Sequence, residues 1–142
     1  MTRIHIDLPG KFTFTTELPV RVSDLNYGGH VGNDSVLTLM QEARTLFYRS
    51  LGFESEVKMA GSVGQIIADA AVVYKSESFL GDVLVIRIAV ADIGRVGFNL
   101  YYEITNKVTS KEVARGKTGI VCFDYENRKV VSIPPSLLAK LS

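Results

Sequence analysis

Across residues 34–51 apolar side chains return at helical spacing: Val36, Met40, Ala43 and Phe47 share one face, flanked by Leu37, Leu39, Leu46 and Leu51, while Gln41, Thr45 and Arg49 lie opposite. This spacing predicts an amphipathic helix with a wide apolar face. Asn33 or Asp34 is the expected N-cap, because a short polar side chain there accepts an otherwise unpaired N–H of the first turn, and Gly52 is the expected stop. Ahead of the helix, residues 12–22 are rich in Thr, Phe and Val and predict a strand, which Pro19 places at an edge or a bulge. Behind it, strand-like runs cover residues 66–76, 83–92, 98–106 and 112–124, separated by turn clusters at Gly81-Asp82, Gly94-Arg95 and Thr109-Ser110. Residues 129–133 add a little pairing before Pro134-Pro135 closes the fold and a short apolar tail follows. Short connections imply antiparallel neighbours. One strand, one long helix and a meander predict a single α+β domain over residues 1–142, with a curled antiparallel sheet wrapped around a helix too apolar to face water on more than one side.

Composition narrows the partners. A hydrophobic content of 46% is enough for a true core, and 16 Lys and Arg against 15 Asp and Glu leave a net charge of +1, so nothing chain-wide favours nucleic acid or an anionic membrane. The opening Met1-Thr2-Arg3-Ile4-His5-Ile6-Asp7 lacks the apolar run of a secretory signal, and no segment nears the roughly 20 apolar residues that span a bilayer. A soluble cytoplasmic protein is expected. Cys122, between Val121 and Phe123, reads as a buried thiol in a strand. Runs such as Ala70-Ala71-Val72-Val73 and Val83-Leu84-Val85-Ile86 do not alternate cleanly, which predicts contact between copies: a homodimer, or a dimer-of-dimers tetramer, with sheet edges paired across a two-fold axis.

The chemistry concentrates where the first strand meets the helix. Arg21-Val22-Ser23-Asp24-Leu25-Asn26-Tyr27-Gly28-Gly29-His30-Val31-Gly32-Asn33-Asp34 sets polar side chains beside a helix N-terminus, whose free N–H groups and positive dipole end favour an anion or a developing oxyanion. Gly28 and Gly29 suit backbone conformations that a Cβ disfavours. His30 is a proton-transfer candidate at neutral pH, or a ring that holds the turn through a backbone carbonyl. Glu42, Asp24 and Asp34 are candidate carboxylates, each with a plain alternative: a solvated or ion-paired Glu, a turn-capping Asp and a helix N-cap. Gly94-Arg95-Val96-Gly97 follows a strand without leading into a helix and is no phosphate loop, and no His, Cys, Asp and Glu cluster has metal-ligand spacing, so no metal is expected.

The segment from Arg21 to Asn33 resembles the pattern Arg-x-x-Asp-x-Asp-x-x-Gly-His-Val-Asn-Asn of the hotdog-fold acyl-CoA thioesterases, in particular the branch named for 4-hydroxybenzoyl-CoA thioesterase. Gln41-Glu42-Ala43-Arg44 is similar to the family's acidic-Ala-Arg segment, and the order of strands through Ala114-Arg115-Gly116 continues the match. The resemblance implies a hotdog fold, a thioester hydrolase with coenzyme A as part of the substrate and no other cofactor, and a carbonyl-polarising N–H at Asn33. Two positions depart from it. Asn26 stands where many relatives carry the Asp that attacks the thioester or activates water, and Gly32 replaces one family Asn. An amide cannot accept the proton, so Asn26 is left to orient a water or the carbonyl, and Glu42, Asp24 or His30 must act as base. Tyr27, Gly28 and Gly29 are expected substrate contacts, the glycines through a close approach that their backbone allows, with Lys75, Arg95, Lys107 and Arg115 as candidate partners of the phosphates. Two other readings keep the same scaffold: an acyl-CoA-binding domain without catalysis, and an acyl-thioester hydratase or dehydratase, whose Asp-to-His spacing is not reproduced around His30.

Overall fold

In the computed structural model, which describes residues 1–142, β1 (Phe14–Pro19) is followed by a 3-10 turn (Val22–Asp24), α1 (Asn33–Ser50), β2 (Val63–Tyr74), β3 (Val83–Ala91), β4 (Gly97–Asn106), β5 (Glu112–Asp124), β6 (Lys129–Val130) and α2 (Pro135–Leu141). The strands form one antiparallel sheet in the order β1-β3-β4-β5-β2, with β6 paired alongside the end of β5. Strictly alternating burial along β4 points Phe98, Leu100, Tyr102 and Ile104 inward, beside Leu84, Ile86 and Ile88 of β3 and Ala114, Ile120 and Cys122 of β5. Val36, Leu39, Met40, Ala43 and Phe47 of α1 complete this core. Gly116 lets the helix lie close, because a Cβ there would run into the Met40 thioether. Burial pushes the Cys122 thiol up to about 11, as befits a core side chain. No helix is long and apolar enough to cross a membrane.

The helix follows its apolar period, but its cap differs from the expectation. Gly32, not Asn33 or Asp34, is the N-cap: its carbonyl accepts the Ser35 and Val36 N–H groups, and Asn33 is already helical, its Oδ1 taking the Asp34 N–H at 2.8 Å. Gly52, at φ +96°, supplies the left-handed stop. β1 is shorter than the apolar run suggested and ends at Pro19, on a sheet edge where a missing N–H costs no ladder bond. The apolar tail is a helix: Pro135 is tolerated in its first turn, and Leu137 and Leu141, four apart, are buried.

A polar cluster interrupts the core between α1 and the segment leading to β2. Arg44, only 5% exposed, donates through Nε to Glu56 Oε1 at 3.2 Å and through Nη1 to the Tyr102 hydroxyl at 3.2 Å. The Gln65 amide donates to Glu56 Oε2 at 2.8 Å, the Tyr48 hydroxyl donates to Gln65 Oε1, and Tyr102 pairs with the Thr118 hydroxyl at 2.8 Å. A second polar knot closes the β5–β6 turn. Asp124 accepts from the Ser62 hydroxyl at 2.8 Å and from the Asn127 and Glu126 N–H groups, and these donors hold its carboxyl down to about 2. An ordinary Asp titrates near 4, so the anion stabilises the fold above that value, and the contribution is lost as pH falls through about 2. Urea unfolding measured from pH 5 down to pH 2 is expected to show that loss in the native protein and a flatter profile in Asp124→Asn.

β2 is an outer edge strand whose Ile67, Ala68, Asp69 and Ala70 are exposed. A bulge falls between Ile67 and Asp69, and Asp69 repairs the ladder by accepting the Gly119 N–H at 2.9 Å and the Lys117 ammonium at 2.7 Å.

Candidate functional site

The site is built where two crossings of the sheet end touch. Residues 20–32 carry the chain from β1, on one edge, to α1. Residues 75–82 carry it from β2, on the opposite edge, to β3. The Val31 N–H donates to the Ser78 carbonyl at 2.8 Å and His30 bridges to Phe79, so the polar turn is fastened to the second crossing. Within the turn the Asn26 N–H donates to the His30 carbonyl at 2.8 Å, the Gly29 N–H to the Asn26 carbonyl at 3.0 Å and the Gly28 N–H to Asn26 Oδ1 at 2.9 Å. Gly29 sits at φ +80°, a conformation that disfavours a Cβ.

Between the crossings lies an open groove of about 830 Å³, with Asn26, Tyr27, His30 and Asn33 on one side and Tyr74 and Glu77 on the other. That volume accommodates a thioester and its pantetheine arm. Asn33 is the first helical residue, and its N–H has no acceptor within the chain. Asn26 packs against Gly32, the residue before Asn33, since a Cβ on Gly32 would lie 3.4 Å from the Asn26 Cβ. With Oδ1 held by Gly28, the free end of Asn26 is its amide donor. His30 Nδ1 lies 3.2 Å from the Val31 carbonyl, an acceptor, so in the neutral ring the proton belongs on Nδ1 and Nε2 carries the lone pair. The ring stands edge-on to Phe79, with centroids 6.5 Å apart. The Tyr74 hydroxyl donates to the Asn33 carbonyl at 2.9 Å, and burial, aided by the nearby Asp34 carboxylate, raises its pKa.

Of the residues expected at the site, Asn26, Tyr27, His30, Asn33 and Lys75 line this groove, as does Asp34. Gly28 and Gly29 form the turn, Gly28 lying against the His30 ring and the Asn26 amide. Five others are not brought to the groove within one copy of the chain. Asp24 is buried, its carboxylate taken up by the Arg21 N–H at 2.8 Å and the Arg21 guanidinium at 3.2 Å, so it shapes the turn. Glu42 faces Arg21 at 3.7 Å, because its place on α1 lies beyond the groove. Arg95 is at the β3–β4 turn, donating to the Ser132 hydroxyl at 3.2 Å. Lys107 and Arg115 are ion-paired with Glu17 and Glu112. Tyr74, Ser76 and Glu77 also line the groove and were not singled out in the sequence, where they lie at and just past the end of the strand-like run 66–76; only the crossing over the sheet end carries them to His30.

The fold that frames this groove is shared with known proteins. Of the solved structures it resembles, the 1,4-dihydroxy-2-naphthoyl-CoA thioesterase of Synechocystis superposes with a TM-score of 0.82 at 22% identity, over 90% of this chain and 94% of that one. A protein from Aquifex aeolicus gives 0.83 at 26% identity, over 92% of this chain and 100% of that one. A Staphylococcus aureus protein solved in complex with CoA gives 0.82 at 16% identity, over 90% and 80%. These likenesses establish the hotdog fold. No curated protein sequence matches the chain. The pattern of the thioesterase-like superfamily, however, spans residues 20–141, from the start of the polar turn through the whole sheet into α2, and the chain belongs to that superfamily.

Proposed function

We propose that the groove hydrolyses an acyl-CoA thioester to a free acid and coenzyme A, with no cofactor beyond the CoA of the substrate. The observation that carries this reading is the unpaired Asn33 N–H, which opens α1 into the same groove as Asn26 and His30. That N–H, at the positive end of the helix dipole, donates to the thioester oxygen and stabilises the charge that grows on it as water adds. Asn26 turns its amide donor to the same oxygen or to the water, and His30 Nε2 takes the water's proton. The leaving thiolate is a good one, so water suffices as nucleophile. The CoA thioesterase and the CoA complex among the structural relatives support CoA as the carrier. Lys75, at the rim and 3.9 Å from Glu112, is the cation best placed for a phosphate.

The exposed edge of β2 pairs with the same edge of a second copy, giving a dimer in which Tyr74 and the groove stand at the junction of the two chains. A cytoplasmic setting fits a CoA-dependent reaction. Thiol release from a panel of aromatic and aliphatic acyl-CoAs tests the reading. Turnover on at least one of them is expected, falling about 10²-fold in His30→Ala. Saturable acyl-CoA binding with no thiol released from any of them would instead mean a binding domain.

A further inference from the structure

Asn26 leaves the turn without the carboxylate that the family pattern places there, but a carboxylate stands across the groove. Glu77 lies in the connector that leaves β2, after Lys75 and Ser76, its side chain is 64% exposed, and its Oε1 lies 3.8 Å from His30 Nε2. It accepts no hydrogen bond from the chain and meets no Lys or Arg within 4.0 Å, so the His30 imidazole is the one basic side chain it meets. The other acids near the turn differ. Asp24 is held by Arg21, Glu42 faces Arg21, Glu112 is held by Arg115 at 2.8 Å, and Asp82 accepts the Phe79 N–H. Asp34 lines the groove beside Tyr74 with no imidazole within 4.0 Å.

We propose that Glu77 is a catalytic residue that works with His30 to hold and activate the hydrolytic water, an assignment that rests on the thioesterase reading. Because Nδ1 points its proton at the Val31 carbonyl, Nε2 and Oε1 both present lone pairs to the groove. Two acceptors 3.8 Å apart can share one water at about 2.8 Å from each, taking both its hydrogens and leaving an oxygen lone pair for the thioester. The water oxygen bonds to the carbonyl carbon as one of its protons passes to Nε2, and the carbonyl electron pair moves onto the oxygen facing the Asn33 N–H. The imidazolium so formed lies between the Val31 carbonyl and the Glu77 carboxylate, which lowers the cost of its charge. When the oxyanion collapses, the carbon–sulfur bond breaks, the thiolate recovers the proton from Nε2, and the products are carboxylic acid and thiol. The carboxylate missing from position 26 is thereby supplied by the second crossing.

The test uses the full chain and the best acyl-CoA of the panel. Glu77→Gln is expected to lose about 10²-fold in kcat, with KM and the affinity for a non-hydrolysable acyl-CoA thioether changed less than about threefold, because a water ligand acts on chemistry rather than on substrate binding. Added formate is expected to restore part of the lost turnover to Glu77→Ala, since an exposed position admits a small carboxylate; a purely structural role would give no such rescue. Turnover in Glu77→Gln within threefold of the native protein, or no response of Glu77→Ala to formate, overturns the role of Glu77 while hydrolysis by the native chain upholds the thioesterase reading. Native protein that releases no thiol from any acyl-CoA overturns both.

Discussion

Asn33→Pro is expected to lower thioester turnover by about 10²- to 10³-fold while α1 remains folded, the loss that follows removal of one donor from an oxyanion site. Proline suits the first helical position, where its fixed φ matches the helix and its missing N–H breaks no helical bond. Gly32 already sits at φ −69° and ψ 152°, the extended conformation that a residue before proline prefers. The substitution therefore removes little besides the N–H that opens into the groove. Asn33→Ala separates the two roles of the residue: it keeps the N–H and gives up only the side-chain bond to the Asp34 N–H. Its turnover should stay within several-fold of the native protein. Circular dichroism and thermal melting report the helix, and thiol release reports the chemistry. Equal turnover in the proline and alanine variants would move the oxyanion contact away from α1.

Glu56→Ala carries the largest expected cost in stability, about 3 kcal/mol, the lower end of the range for removing one partner of a buried ion pair. The reason lies with Arg44, whose guanidinium sits in the core between α1 and β4 and would lose its anion there. The lower end applies because the Glu56 side chain is 24% exposed and water can enter in its place. Replacing Arg44 with Met in the same chain is expected to recover part of the loss, since an apolar side chain of similar length suits that site better than an unpaired cation. Urea midpoints for both single variants and the double variant measure the coupling. Additive effects would show that Arg44 and Glu56 do not act as a pair.

What the sequence made legible was periodic. Helical spacing marked α1 within a residue or two, and strand-like runs between turn clusters marked β3, β4 and β5 closely. Features set by contacts far along the chain were hidden. Nothing in the helical spacing marks Arg44 as buried, yet Glu56 and Tyr102 come to meet it inside. Pro134-Pro135 reads as a terminator, although proline is at home in the first turn of a helix and α2 starts there. The turn from Arg21 to Asn33 stood out because glycines, a helix start and polar side chains coincide within it, and Asn26, Tyr27, His30 and Asn33 of that turn line the groove. Glu77 lay hidden in a polar connector, since nothing local distinguishes a connector that crosses the end of a sheet from one that turns back.

That crossing has a consequence for how activity arises. β1 and β2 stand at opposite margins of the sheet, so the two connectors forming the groove meet only after β2 has found β5, a pairing of Tyr74 with Ala114 and of Val63 with Asp124. Contacts so remote in sequence form slowly, whereas α1 can form early from neighbours. Regain of hydrolysis after dilution from denaturant should thus lag behind the helical signal and keep time with burial of the last strand. The enzyme would switch on as a late event of its own folding.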